Sequence, residues 1–353
     1  MAQADPAKLD ALVGQIVGDV GAILTGALVV LGDRLGLYRA LGEGGAMTAE
    51  ELGRSTGTRA RYVREWLSAQ AAAGYVTYDP DTELFSLSPE QKMAFADEGG
   101  PAFFPGAFEI AQSAWMDEPK VAQAFRTGAG VGWHEHSACL FRGTERFFRP
   151  GYNANLVSQW IPALDGVQAR LESGAKVADV GCGHGASTIL MAQAYPRSRF
   201  FGFDYHEPSI VRACAAAKQA GVEDRVTFAC ASAKTFPAQG YDFVTMFDCL
   251  HDMGDPVGAG RHVREALGPG GVWMVVEPFA QDDLQGNLNP VGRVFYAAST
   301  LICTPASAAQ EVGLCLGAQA GERRLRDVAE QAGFRSFRRA AETPFNLVFE
   351  AKA

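Results

Sequence analysis

The stretch Asp179-Val-Gly181-Cys-Gly183-His-Gly185-Ala-Ser187 decides how this chain is read. It follows the apolar, β-branched segment 177–180, predicted as a strand, and precedes a helix predicted over 187–194. Glycines between a buried strand and a helix let the main chain turn sharply and approach a ligand closely. The spelling is ambiguous by itself, because Gly181, Gly183 and Ala186 also satisfy the dinucleotide pattern G-x-G-x-x-G/A. Outward from the loop, strands are predicted at 200–203, 226–229, 243–247 and 272–276, with a helix over 208–221. Such alternation predicts a parallel sheet with helices on both faces. Near the end, a helix over 325–332 precedes strands at 334–338 and 345–350. Their short connection makes them antiparallel neighbours.

Three features turn the loop toward S-adenosylmethionine rather than a nicotinamide cofactor. Gly185 extends the run to G-x-G-x-G, with Asp179 two positions upstream, where a carboxylate can act through water or main chain near an ammonium group. The loop sits in the middle of the chain instead of opening a dinucleotide domain. The paired terminal strands insert an antiparallel strand that dinucleotide folds lack. Asp204 follows the second strand, 23 residues after Gly181, where an acid can accept from both ribose hydroxyls. His206 is a candidate to flank the adenosine.

Residues 177–188, 201–204, 247–256 (FDCLHDMGDP) and 267–277 (LGPGGVWMVVE) resemble the motif series of class I S-adenosylmethionine-dependent methyltransferases. With the N-terminal part described below, the whole chain resembles the dimeric small-molecule O-methyltransferases of plants and bacteria, and is most similar to bacterial members. The resemblance implies an α/β, Rossmann-like seven-stranded mixed sheet of order 3-2-1-4-5-7-6 with the last strand antiparallel. It implies an α-rich winged-helix and dimerisation domain, S-adenosyl-L-methionine as cofactor, S-adenosyl-L-homocysteine as product, and an intertwined homodimer. Tyr205, Phe247 and Ala233 join the expected cofactor residues. Two positions depart from the family. In Ala231-Ser232-Ala233 relatives commonly carry an Asp beside the adenine amino group, and Ser232 offers only a neutral acceptor. Asp248 stands where the plant enzymes have no acid, and is expected near the methionine ammonium or a cationic substrate.

Methyl transfer from a sulfonium needs an in-line nucleophile, exclusion of water and removal of the nucleophile's proton. His251 is the candidate base: it follows the fourth strand, at the carboxyl edge where open α/β sheets bind ligands, and imidazole titrates near neutrality. The resemblance adds Asp252 as its partner in a His-Asp pair and Glu277 as the acid that orients it. Trp133-His134-Glu135-His136, if extended, points His134 and His136 to one side. That suits a substrate-facing polar patch or structural hydrogen bonding more readily than a metal site, and no metal is expected. Phe295, Tyr296 and Gln310 fall in an insert after the fifth strand, where relatives place substrate contacts. O-methylation of a small molecule leads; nitrogen, sulfur and carbon acceptors, and a winged-helix regulator sensing S-adenosylmethionine without turnover, stay open.

The N-terminal hundred residues read as helix, helix, hairpin after one long helix. Leu9, Leu12, Val13, Ile16, Val17, Val20 and Leu24 recur at helical spacing, interrupted by Gly14, Gly18 and Gly21. Thr48-Ala-Glu-Glu51 is a capping box, Thr58 is expected to open the next helix and Gly74 to close it. This segment holds 8 Lys and Arg against 14 Asp and Glu, and the whole chain carries a net −9, so nucleic acid is a poor partner. Seven cysteines without a CxxC pair read as reduced thiols. The longest early apolar run has 12 residues where a span needs about 20; a cytoplasmic protein without membrane contact is expected. The expected division is 1–100 for dimerisation and the winged helix, 101–170 as an aromatic-rich helical linker toward the substrate, and 171–353 for the cofactor.

Overall fold

The computed structural model describes residues 4–353. It forms two compact units, the residues up to Gln112 with Arg142–Pro150, and Ser113–Phe141 with Gly151–Ala353.

In the first unit, α1 (Pro6–Arg34) is followed by α2 (Leu37–Gly44), α3 (Ala49–Thr56), α4 (Ala60–Ala72), the hairpin strands β1 (Thr77–Asp79) and β2 (Leu84–Ser86), and α5 (Pro89–Phe95). The capping box forms as expected: Thr48 N–H donates to Glu51 Oε2 at 2.8 Å and Glu51 N–H to Thr48 Oγ1 at 3.2 Å. The fourth helix starts one residue later than Thr58 suggested. Arg59 is its cap, and the Thr58 hydroxyl pairs instead with Thr56 Oγ1 at 2.8 Å. Val29, Tyr38, Leu52, Trp66, Leu67 and Phe85 make the core. Trp66 lies flat enough on Gly32 that a Cβ there would sit 2.4 Å from the indole, whose N–H donates to the Leu28 carbonyl at 2.9 Å.

Helix α1 leaves its apolar stripe in the open. Leu9, Leu12, Ile16, Val17, Val20 and Leu24 are each half or more exposed, and a Cβ at Gly14, Gly18 or Gly21 would meet nothing within 4 Å. By length and composition this single helix could cross a membrane, which the 12-residue run did not suggest; 11% of its most apolar window is buried.

The chain continues through α6 (Pro105–Thr127) and α7 (Cys139–Asn155), parts of which belong to each unit. The second unit adds α8 (Val167–Ser173), then β3 (Lys176–Val180), α9 (Ala186–Ala194), β4 (Arg199–Asp204), α10 (Glu207–Gln219), β5 (Val226–Cys230), β6 (Tyr241–Phe247), α11 (Pro256–Ala266) and β7 (Leu267–Pro278). After α12 (Pro290–Ala298), α13 (Thr304–Ala308) and α14 (Gly321–Gln331) come β8 (Ser336–Glu342) and β9 (Asn346–Lys352). The sheet runs β5-β4-β3-β6-β7-β9-β8, which is 3-2-1-4-5-7-6 counted from β3, and β9 is antiparallel to both neighbours. This is the Rossmann-like mixed sheet expected. The central strands are apolar on both faces because helices cover both: Val177, Ala178, Val244, Trp273, Val275 and Phe349 are fully buried. Parallel crossovers gather the loops after β3, β4, β6 and β7 at one edge. A cavity of about 340 Å³ bordered by Lys176, Arg197, Arg199 and Asp242 opens at the opposite, amino-terminal edge.

Candidate active site

The glycine loop is tied to the second strand of the sheet. The N–H groups of Gly181 and Cys182 both donate to the Phe203 carbonyl, at 2.8 and 3.1 Å. Gly181 has φ +77°, and a Cβ there would lie 2.7 Å from Cys249 Sγ, so only glycine serves. Gly183 has φ +52° but faces open space, and Gly185 (φ +80°) backs onto Phe228. Asp204 clamps the loop: Gly183 N–H donates to Oδ2 at 3.0 Å and His206 N–H to Oδ1 at 2.9 Å. Burial pushes this carboxyl above its ordinary range, against the two backbone donors. Each oxygen keeps a lone pair, so the carboxylate can still accept from a pair of ligand hydroxyls.

Asp179 holds its carboxylate within the protein, so its expected action near an ammonium group is left to water or main chain. Its buried carboxylate accepts from Ser187 Oγ at 2.7 Å, Thr188 Oγ1 at 2.6 Å and Thr245 Oγ1 at 2.9 Å. Burial raises it while these hydroxyls pull it down. It is a brace that fixes the start of α9 against β3 and β6. Ser232 is likewise engaged locally, with Thr235 Oγ1 at 2.8 Å and the Lys234 N–H at 3.3 Å, beside the half-buried Ala233.

Asp248 follows β6 with φ +48°, an unusual conformation for a residue other than glycine. Its oxygens accept from Tyr152 Oη at 3.1 Å and Asn346 Nδ2 at 2.9 Å, and Tyr152 packs on the buried Phe247 with ring centroids 5.2 Å apart. Burial, then the nearby Glu277, drives the Asp248 carboxyl well up. A cationic ligand group beside it would offset that cost. Neither Tyr152 nor Asn346 was singled out from the sequence; Asn346 carries no local signal, and meets Asp248 only because β9 inserts beside β7.

His251 lies on the short 3-10 turn Leu250–Asp252 just past β6 and is 3% exposed. Its Nδ1 meets Glu277 Oε2 at 2.5 Å, while Glu277 Oε1 accepts from the Leu250 N–H at 3.0 Å. Nε2 lies 3.2 Å from Asp252 Oδ1, and Asp252 Oδ2 accepts from the Trp133 indole at 2.8 Å. Burial would lower the imidazole pKa, but Glu277 and then Asp252 outweigh it and hold the ring well above 6.5. The structure therefore brings together His251, Asp252, Glu277 and Trp133. It adds Cys303, whose thiol reaches the same group.

The 133–136 segment is not extended. A 3-10 turn over Trp133–Glu135 separates the two histidines: His134 is exposed and His136 is buried with Nδ1 3.1 Å from Asp117 Oδ2. Trp133 continues an aromatic wall through Phe141 (5.7 Å), which stacks on His206 at 4.4 Å and 16°. His206 Nδ1 in turn meets Ser209 Oγ at 2.8 Å. This wall runs from the His251–Asp252 pair to the turn after Asp204. Tyr205 is half exposed, edge-on to His134. Phe295 is buried in α12 and Tyr296 half-buried beside it; neither is among the hydrogen-bond partners of the histidine cluster among the described residues. Gln310 is not free for substrate. It accepts from the Gly254 N–H at 3.1 Å and donates to the carbonyls of Asp252 (2.8 Å) and Ala306 (2.9 Å), fixing the loop after the base.

Residues 171–333 match the family described as a methyltransferase domain, and residues 23–96 match the Rv2258c-like winged HTH domain. The chain is 34% identical over 98 residues to the trans-aconitate 2-methyltransferase of Streptomyces avermitilis, 28% of this chain and 36% of that one. It is 35% identical over 141 residues to the 27-O-demethylrifamycin SV methyltransferase of Amycolatopsis mediterranei, 39% of this chain and 46% of that one. The chain thus spans less than half the length of these curated relatives. Human N-acetylserotonin methyltransferase, solved with S-adenosylmethionine, matches in fold with a TM-score of 0.73 at 15% identity, over 100% of this chain and 99% of that one. A methyltransferase-domain match over residues 171–333, behind a winged helix-turn-helix match over 23–96, on the 3-2-1-4-5-7-6 sheet, makes this chain similar to the S-adenosylmethionine-dependent methyltransferases in domain order and fold.

Proposed function

We propose that the chain methylates an oxygen of a small molecule, with S-adenosylmethionine as donor and His251 as general base. The observation that carries this reading is the buried His251, oriented by Glu277 and facing Asp252, on the same sheet edge as the Asp204 clamp. The residues suit the cofactor: Asp204 offers lone pairs for two ribose hydroxyls, Gly183 leaves open space above the loop, and Asp248 is a half-buried acid that a nearby ammonium would relieve. Bound, the cofactor supplies a methyl group already activated on a sulfonium. The protein's share is then to exclude water, hold the acceptor against the Trp133–Phe141 wall and take its proton at His251 Nε2. By segment, 1–100 carries the winged helix and the dimer seam, 101–170 supplies Trp133, Phe141 and Tyr152 to the acceptor side, and 171–353 holds the cofactor. None of the seven cysteines is in a disulfide, which suits a reducing cytoplasm. The experiment that tests the reading is a small-molecule screen following S-adenosylhomocysteine release. Hydroxylated acceptors giving wild-type turnover support it; turnover on amines or thiols alone would overturn the oxygen assignment.

The pH profile follows from the two acids beside the base. An imidazole held above its ordinary pKa keeps its proton at neutrality, and Nε2 can accept only after that proton leaves. Turnover should therefore rise with pH through a limb above about 6.5. Asp252→Asn removes one negative neighbour and should move the limb to lower pH. A wild-type limb at or below the ordinary imidazole value would contradict this.

We place a second copy of the chain over α1. A membrane-spanning role conflicts with Asp19 inside the helix, since a central Asp costs about 2.5–3.5 kcal/mol to insert, whereas open glycines let two helices approach closely. Light scattering should give twice the monomer mass of 37.6 kDa. Val17→Asp with Leu24→Asp should give the monomer, and a monomeric wild type would remove the seam.

A further inference from the structure

We propose that His251, Asp252 and Cys303 form a binding site for a thiophilic divalent cation of the Zn²⁺ type. One ligand atom from each residue lies within 4.8 Å of the other two, and all three residues are buried. Metal–ligand lengths of about 2.0–2.3 Å put tetrahedral ligand atoms roughly 3.5 Å apart. A side-chain shift of about an ångström therefore closes the site. Asp252 Oδ1, only 3.2 Å from His251 Nε2, has no hydrogen-bond partner, although the residue is 7% exposed.

The surroundings leave these atoms available. Glu277 takes Nδ1 of the imidazole, which fixes the ring and aims Nε2 into the cluster, where it ligates once its proton is released. A carboxylate behind a ligating histidine is the arrangement that holds zinc ligands in place. The Trp133 indole takes Asp252 Oδ2 and leaves Oδ1. Cys303 closes a π-helical turn, Ser299–Cys303, a distortion found mostly at functional sites. An imidazole nitrogen, a carboxylate oxygen and a thiolate are a donor set for zinc rather than magnesium. Three protein ligands leave one position open, as in zinc sites that bind a further ligand. On binding, the Cys303 S–H bond and the His251 Nε2–H bond break, both protons pass to solvent, and metal–sulfur and metal–nitrogen bonds form, with no change of oxidation state.

The site stands without the methyl-transfer reading, but one consequence rests on it. A cation on Nε2 uses the lone pair that would accept the acceptor's proton, so metal binding and methyl transfer exclude one another.

The test uses full-length, chelator-treated protein carrying Cys214→Ser and Cys230→Ser, which removes the two exposed thiols. Titration with zinc sulfate should show one saturable site that magnesium does not occupy. Cys303→Ser should weaken it by at least about 10²-fold and Glu277→Gln by about 10–100-fold. Co²⁺ in place of zinc should show thiolate-to-metal charge-transfer absorption that Cys303→Ser abolishes; thermal melts confirm that each variant is folded. No stoichiometric zinc binding, or binding unchanged in folded Cys303→Ser, overturns the proposal. On any acceptor returned by the product-release screen, zinc should lower turnover and a chelator restore it; stimulation by zinc would overturn the exclusion. None of the binding arms needs S-adenosylmethionine, so failure here leaves the proposed activity standing, and absence of cofactor binding leaves the zinc result standing.

Discussion

His251→Ala is expected to lower turnover about 10²–10⁴-fold, the usual scale for loss of a general base, while leaving S-adenosylmethionine affinity within about twofold, since the imidazole is given no part in holding the cofactor. The separation of effects follows from the geometry. His251 pairs with Glu277 and Asp252, whereas the crevice proposed for the cofactor is framed by the 181–185 loop and Asp204. Glu277→Gln should keep a hydrogen bond to the ring but remove the charge that supports the imidazolium formed as the acceptor loses its proton. It should cost less turnover than the alanine at His251 and lower the apparent pKa of the base. Equal turnover in wild type and His251→Ala, measured on the same acceptor, would show that proton removal does not pass through this residue.

Asp204→Ala should act on the opposite quantity. It removes a carboxylate that accepts two backbone N–H groups and is assigned two ribose hydroxyls. A hydrogen bond to a charged group contributes about 1.5–3 kcal/mol, so losing two at the ligand raises the dissociation constant roughly 10²–10⁴-fold. Loosening of the Gly183 turn adds to this, because its N–H and that of His206 lose their acceptor. Asp204→Asn is the useful control: it keeps one acceptor oxygen and should fall between wild type and alanine. An alanine variant with wild-type affinity would show that the acid is only a cap for the following turn.

The fold and the centre of the site were legible because their residues are local in the sequence and the sheet supplies the rest. A glycine run after one buried strand, an acid after the next, and a histidine after the fourth all end at one edge once parallel crossovers are inferred. Glu277 came from the family resemblance, and β6 and β7, neighbours in register, carry it to His251. What was not legible depends on contacts distant in sequence. Asp179 reads as a ligand acid until Thr245, 66 residues away, is seen to take its second oxygen. Asn346 reaches Asp248 across 98 residues. Gln310 was placed in the right loop, but its amide is consumed by main-chain groups that no local pattern reveals. The His134–His136 pair failed for a different reason: its expected geometry assumed a period of two, and the Glu135 side chain accepting from the Gly132 N–H at 2.7 Å closes a 3-10 turn instead. Helix α1 shows the converse. Its apolar periodicity was plain, yet the face is open to solvent in the single chain, so the pattern does not mark an internal core.

Calorimetric titration of the wild-type protein reaches the foundation of all of this without needing an acceptor. S-adenosylmethionine should give a saturable one-site isotherm that Asp204→Ala weakens and His251→Ala leaves in place, and NAD should give no heat. Saturable binding of NAD with none of S-adenosylmethionine would mean that the glycine loop serves a pyrophosphate instead.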